Sequence, residues 1–152
     1  LRVWLAIAKL SFLYKIHNLT YINMLKIIRL QSNSVPVTLT EKTTLASPYY
    51  LVVFNNLATN ELVYAICPDT STQTTRYNLL TIIESNTSIP LSGQVKLVEG
   101  TYQYKIYEQT SSSNLDPSLS TSLVETGLLK STTTATSSFI DNTYTEEFVW
   151  QN

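Results

Sequence analysis

The clearest pattern in the chain is Thr101-Tyr-Gln-Tyr-Lys-Ile-Tyr-Glu108, which sets Tyr102, Tyr104 and Ile106 on one face and Gln103, Lys105 and Tyr107 on the other. A period of two is the mark of a strand with one buried face. Val35-Pro-Val-Thr-Leu-Thr40 alternates in the same way, with Val35, Val37 and Leu39 inward, and Pro36 places that strand at an edge or at its own beginning. Tyr49-Tyr-Leu-Val-Val-Phe54 is a continuous apolar run suited to a central strand. The turn residues Asn55-Asn-Leu-Ala-Thr-Asn60 and the run Glu61-Leu-Val-Tyr-Ala-Ile66 make it half of a hairpin, whose inward set reads as Leu62, Tyr64 and Ile66. Further strands are expected at 77–83, at 94–98 after the turn Pro90-Leu-Ser-Gly93, and at 122–130 after a long polar loop from Gln109 to Ser118.

Short strands separated by turn signals at this spacing predict an all-β fold, a sandwich of about seven antiparallel strands. The sixth strand makes the expectation more specific. Glu99-Gly100-Thr-Tyr102 places a turn glycine just before a strand-initial tyrosine, as in the tyrosine corner of immunoglobulin-like domains, so Gly100 and Tyr102 are assigned that structural role. The disulfide and core tryptophan of antibody domains are absent, since Trp4 and Trp150 both lie outside the strands.

Composition agrees with strands and turns. Charged residues make up only 14% of the 152 residues, Ser, Thr and Asn fill the polar positions, and there are ten tyrosines. The net charge of −1 is unevenly placed: residues 1–40 carry five bases and no acid, whereas 41–152 hold eleven acids against five bases. A region of net negative charge with singly scattered lysines lacks the basic stripe of a nucleic-acid surface, so no nucleic-acid partner is expected. The single cysteine, Cys67, excludes an intrachain disulfide and reads as a small buried residue at a strand end.

Three regions follow: 1–30, an apolar and basic N-terminal segment; 31–130, the β-sandwich; and 131–152, a polar linker with an aromatic arm. In the first, Lys9, Lys15, His17 and Asn18 break any run long enough to span a membrane or serve as a secretory signal. Two readings stay open there: a basic amphipathic helix on a membrane or partner, and a translation start at Met24 with 1–23 as upstream reading frame. Membrane contact is expected only if residues 1–30 are genuine. In the arm, Phe139, Ile140, Tyr144, Phe148 and Trp150 are the candidate assembly contacts, too apolar for a free tail.

Catalytic chemistry finds little to work with. His17 is the only histidine and lies outside the sandwich, so no His-based triad can be built within it. No H-E-x-x-H, P-loop or dinucleotide fingerprint occurs, and Gly93, Gly100 and Gly127 read as turn or bulge residues. Asp116 before Pro117 reads as turn chemistry. The chain is expected to be a non-enzyme, with no catalytic, cofactor or metal site.

Val37-Thr-Leu-Thr-Glu-Lys-Thr-Thr44, Pro90-Leu-Ser-Gly-Gln-Val95, Gly100-Thr-Tyr-Gln-Tyr104, Asn114-Leu-Asp-Pro117 and Leu123-Val-Glu-Thr-Gly127 together resemble a family of small proteins of tailed phages infecting Bacteroidetes, crAss-like phages among them. The resemblance spans about residues 24–130 and implies a virion-associated structural or accessory protein, such as a capsid auxiliary or a head or tail fitting, with an immunoglobulin-like domain. It implies partners that are other virion proteins or copies of itself, and a place in the phage particle after synthesis in the bacterial cytoplasm. The alternative is an adhesion or carbohydrate-binding module using exposed tyrosines such as Tyr107, with Tyr49 or Tyr50.

Overall fold

The computed structural model of the chain describes residues 24–133. Eight strands are present among the described residues: β1 (Leu25–Ile28), β2 (Ser32–Val37), β3 (Tyr49–Asn56), β4 (Leu62–Cys67), β5 (Asn78–Glu84), β6 (Gln94–Val95), β7 (Gly100–Gln109) and β8 (Ser122–Thr132). One sheet has the order β1-β8-β7-β3-β4 and the other β2-β5-β6, so the fold is an all-β sandwich of two sheets. The antiparallel pair β2–β5 faces the ladder β3–β7–β8.

Where the pattern predicts antiparallel pairs throughout, two pairings are parallel, β1 with β8 and β5 with β6. The domain boundary at residue 31 also moves. Leu25–Ile28 pair with Leu129–Thr132, and Ile27 is fully buried, so the sandwich begins before residue 31 and runs through Thr132. The segment then crosses to the other sheet at Arg29–Gln31. Leu30 takes a left-handed φ of 61° at this crossing, and Asn33 straps it by accepting from the Ile28 N–H at 2.8 Å and donating to the Ile28 carbonyl at 2.9 Å. Pro36 lies in β2, an edge strand, where its missing N–H costs no ladder bond.

The core between the sheets takes Tyr102, Tyr104 and Ile106 from β7, Tyr50, Val52 and Phe54 from β3, and Leu80 and Ile82 from β5. On β4 the phase is opposite to the expectation. Ala65 and Cys67 enter the core with Val63 against it, while Leu62, Tyr64 and Ile66 face outward. Alternation could not set this phase, because both faces of β4 are apolar. The strand expected at 94–98 shrinks to Gln94–Val95, since the Leu97 N–H leaves the ladder and donates to Glu84 Oε1 at 3.1 Å.

Tyr102 stands two residues into β7, and its hydroxyl donates to the Val98 carbonyl four residues upstream at 3.0 Å, the bond that defines a tyrosine corner. Tyr102→Phe is expected to cost about 1 kcal/mol in urea unfolding, because exposed Val98 lets water re-bond the freed carbonyl. The β7–β8 ladder is interrupted once. A bulge at Ile106/Tyr107 keeps Val124 in the core and leaves Glu125 to accept from the Tyr104 hydroxyl at 2.7 Å. Burial first, then this carboxylate, raises the Tyr104 phenol well above its ordinary value.

Candidate functional site

Cross-strand register builds a second apolar layer on the outer face of the five-stranded sheet. Leu123, Tyr107, Leu51 and Ile66 form one row across β8, β7, β3 and β4, and Lys105, Val53 and Tyr64 form the next. Leu51, Val53 and Ile66 are buried here, covered by Tyr64, Tyr107 and Leu115. Leu115 comes from the β7–β8 loop, which is held over the sheet by buried Gln109. The Gln109 side-chain amide donates to the Ser111 and Asn114 carbonyls at 2.8 and 2.9 Å, and its oxygen accepts from Asn114 Nδ2 at 2.9 Å. At the margins of this layer Leu62 and Leu123 remain 50% and 48% exposed. The result is an outward sheet face that is apolar at its centre and ends in two open leucines.

The acids that parity sends inward are structural fastenings. Glu84 continues Leu80 and Ile82 into the core, and Glu108 continues Tyr104 and Ile106. The Glu84 carboxylate accepts from the Leu30 N–H at 2.6 Å and the Leu97 N–H, with Arg29 Nε at 3.8 Å, so it holds both the sheet crossing and the strand after β6. Glu108 takes the Thr44 hydroxyl and the Ser122 hydroxyl at 2.7 Å on one oxygen, and the Thr44 and Leu45 N–H groups at 2.9 and 3.1 Å on the other. Burial alone would raise the Glu108 carboxyl, but these four donors outweigh it and hold it below the ordinary carboxylate value. A carboxylate saturated in this way has no lone pair aimed at a substrate. Two loop acids hold turns: Asp69 Oδ1 accepts from the Ser71 and Leu79 N–H groups at 3.0 Å, and Asp116 accepts from the Ser118 N–H at 2.8 Å, its carboxyl lowered by the Ser118 side chain first and by this N–H second.

Cys67 is buried in β4, and desolvation pushes its thiol up to about 12, leaving it protonated and unreactive at neutral pH. Among the described residues no three His, Cys, Asp or Glu side chains converge as a metal site. Of the tyrosines named for sugar binding, Tyr50 is buried, Tyr107 is half covered by the outer layer, and Tyr49 is 45% exposed. Tyr77, which sequence reasoning treated only as the start of a strand, is 41% exposed on the loop before β5. A strand-edge tyrosine next to Thr74-Thr-Arg76 was the signal available. The arm residues Phe139, Ile140, Tyr144, Phe148 and Trp150, and the segment 1–23, lie outside the described residues. Compared with known families, curated proteins and solved structures, the chain matches none.

Proposed function

We propose that this chain is a non-catalytic structural or accessory component of a phage virion, an immunoglobulin-like module that works by contact with other virion proteins or with copies of itself. The observation that carries the assembly part is the outer sheet face, apolar at its centre and ending in the open Leu62 and Leu123. Exposed leucines on a rigid sheet face suit a protein partner, whose apolar side chains would complete the layer begun by Leu51, Val53 and Ile66. The phage setting rests on the resemblance of residues 24–130. The saturated Glu108, with Glu84 held by the Leu30 and Leu97 N–H groups, supports a rigid scaffold over a reactive cleft.

Two measurements test this reading. Mass spectrometry of purified particles from a phage carrying the gene should find the chain at a fixed stoichiometry, and its presence only in the soluble lysate would overturn the virion assignment. Leu62→Lys combined with Leu123→Glu should change unfolding free energy by no more than about 1 kcal/mol and abolish incorporation into particles. The arm makes a further prediction. Ser131 and Thr132 are buried in β8, so a truncation that leaves the sandwich intact starts at residue 134. Removal of 134–152 should leave the urea midpoint unchanged and weaken particle binding, and unchanged binding would remove the arm from the assembly.

A further inference from the structure

Among the described residues four strands have an open side, β1 and β4 at the ends of the larger sheet and β2 and β6 at the ends of the smaller. An open edge invites pairing with another chain, and short length, a charged side chain or a proline blunts it. β6 consists of Gln94 and Val95 alone, and β1 is four residues long with exposed Lys26. In β2 the bond from the Glu84 N–H to the Gln31 carbonyl turns the backbone of Val35 toward β5, and puts Pro36, which has no N–H, on the open side. β4 carries none of these devices: Leu62–Cys67 is uncharged, free of proline and in unbroken register with β3.

The Asn56 N–H donates to the Glu61 carbonyl at 2.9 Å. Antiparallel alternation then directs the backbone of Val63, Ala65 and Cys67 to β3 and the N–H and C=O of Leu62 and Tyr64 to the open side. Farther along, Ile66 is buried and its carbonyl lies against Gly93, so the open stretch is Leu62–Tyr64. This stretch matches a second copy of itself. With the copy turned antiparallel about a two-fold axis at Val63, Leu62 of each chain exchanges N–H···O=C bonds with Tyr64 of the other. The side chains agree with that register. On the outer face the row of Lys105, Val53 and Tyr64 gains Leu62 of the second copy as its next member, which covers the open leucine. Glu61, the nearest acid, falls opposite Ala65, so no like charges meet. The two ends of the edge are also apolar and unlike: exposed Leu57 stands in the β3–β4 turn, and exposed Leu91 stands with Ile66 and Pro68 at the far end. Antiparallel pairing of two copies brings the one end to the other.

We propose that the chain forms a two-fold dimer through β4, joining two five-stranded sheets edge to edge into one. This deepens the assembly reading, on which it rests for the outer layer, by naming a second copy as the partner and the β4 edge as the contact. The test is sedimentation equilibrium of the full chain, which should show a dimer with Kd of about 100 μM or tighter. Leu62→Pro repeats in β4 what Pro36 does in β2, removing an N–H that the single chain leaves outside its ladder. Its melting temperature should fall little while dimerisation weakens about tenfold or more. Leu119→Lys, on the exposed turn before β8, should leave dimerisation unchanged. Val63→Cys gives a reading independent of the proline. Position 63 lies on the axis, opposite its own copy in a non-hydrogen-bonded pair whose Cα atoms stand about 4.5 Å apart, within reach of a disulfide. Mild oxidation should link two copies of that variant and leave the wild type unlinked, since Cys67 is buried. A chain monomeric well above the stated Kd, undiminished dimerisation of Leu62→Pro, or no cross-link in Val63→Cys would each overturn the proposal. A monomer found in particles would overturn the dimer alone, and a dimer absent from particles the virion assignment alone.

Discussion

Glu108→Ala should lower the unfolding free energy by about 3 kcal/mol or more, against about 1 kcal/mol for Glu108→Gln. The alanine leaves two backbone N–H groups, those of Thr44 and Leu45, and two hydroxyls, those of Thr44 and Ser122, without the acceptor that the buried Glu108 supplies. An orphaned donor costs about 1–3 kcal/mol where water does not reach it, and the exposure of Thr44 with relaxation of the β2–β3 loop recovers part of the total. Glutamine keeps one acceptor oxygen for the two N–H groups and turns its amide toward the two hydroxyls, which can rotate to accept. The variants also separate charge from shape. Because the folded carboxyl is held below its unfolded value of about 4.3, its contribution is fully present above that pH and is lost as pH falls through the folded value. Urea midpoints measured at neutral pH and again in acid should therefore fall more steeply for the wild type than for Glu108→Gln. Equal slopes would mean that Glu108 is no fastening of the loop.

The two inward acids are legible from strand parity. Parity alone places Glu84 and Glu108 in the core, as the next inward positions after Ile82 and Ile106. Composition pulled the other way, because acids counted in bulk suggest a charged surface. The strand β7 and the β3–β4 hairpin were readable because their signals are local: alternation with one polar face in the first case, a long apolar run and Asn-rich turn in the second. The hydroxyl of Tyr102 reaching Val98 is local as well, spanning four residues.

What could not be read depends on partners far away in the chain. Leu25–Ile28 look continuous with the apolar segment before them, and only their parallel pairing with Leu129–Thr132 makes them part of the sandwich. The phase of β4 was undetermined because the outer face of its sheet carries a layer of its own, so Leu62, Tyr64 and Ile66 are as apolar as the inward set.

Gly93→Ala should destabilise the fold by about 2–4 kcal/mol, more than the same change at Gly127. Gly93 ends the 3-10 turn Pro90–Ser92 with φ 73°, a left-handed conformation that a Cβ penalises by about 1–2 kcal/mol. Space is also lacking. An added Cβ would sit 3.0 Å from the Thr81 carbonyl oxygen, 3.2 Å from Pro68 Cδ and 3.4 Å from the Ile66 carbonyl oxygen. Two of these are main-chain atoms of β5 and β4, and the Gly93 carbonyl accepts from the Ile83 N–H at 3.0 Å, so relief of the clash would pull at the β5–β6 ladder. At Gly127 the obstacle is different. The Cβ would meet the far end of the Tyr104 ring within 2.6 to 2.8 Å, so relief there displaces a side chain, at the cost of its bond to Glu125 and part of its core packing, and leaves the strand backbone in place. Urea unfolding of the two alanine variants should rank Gly93→Ala as the weaker protein, and the reverse order would show that the tyrosine ring, not the strand backbone, is the stiffer wall.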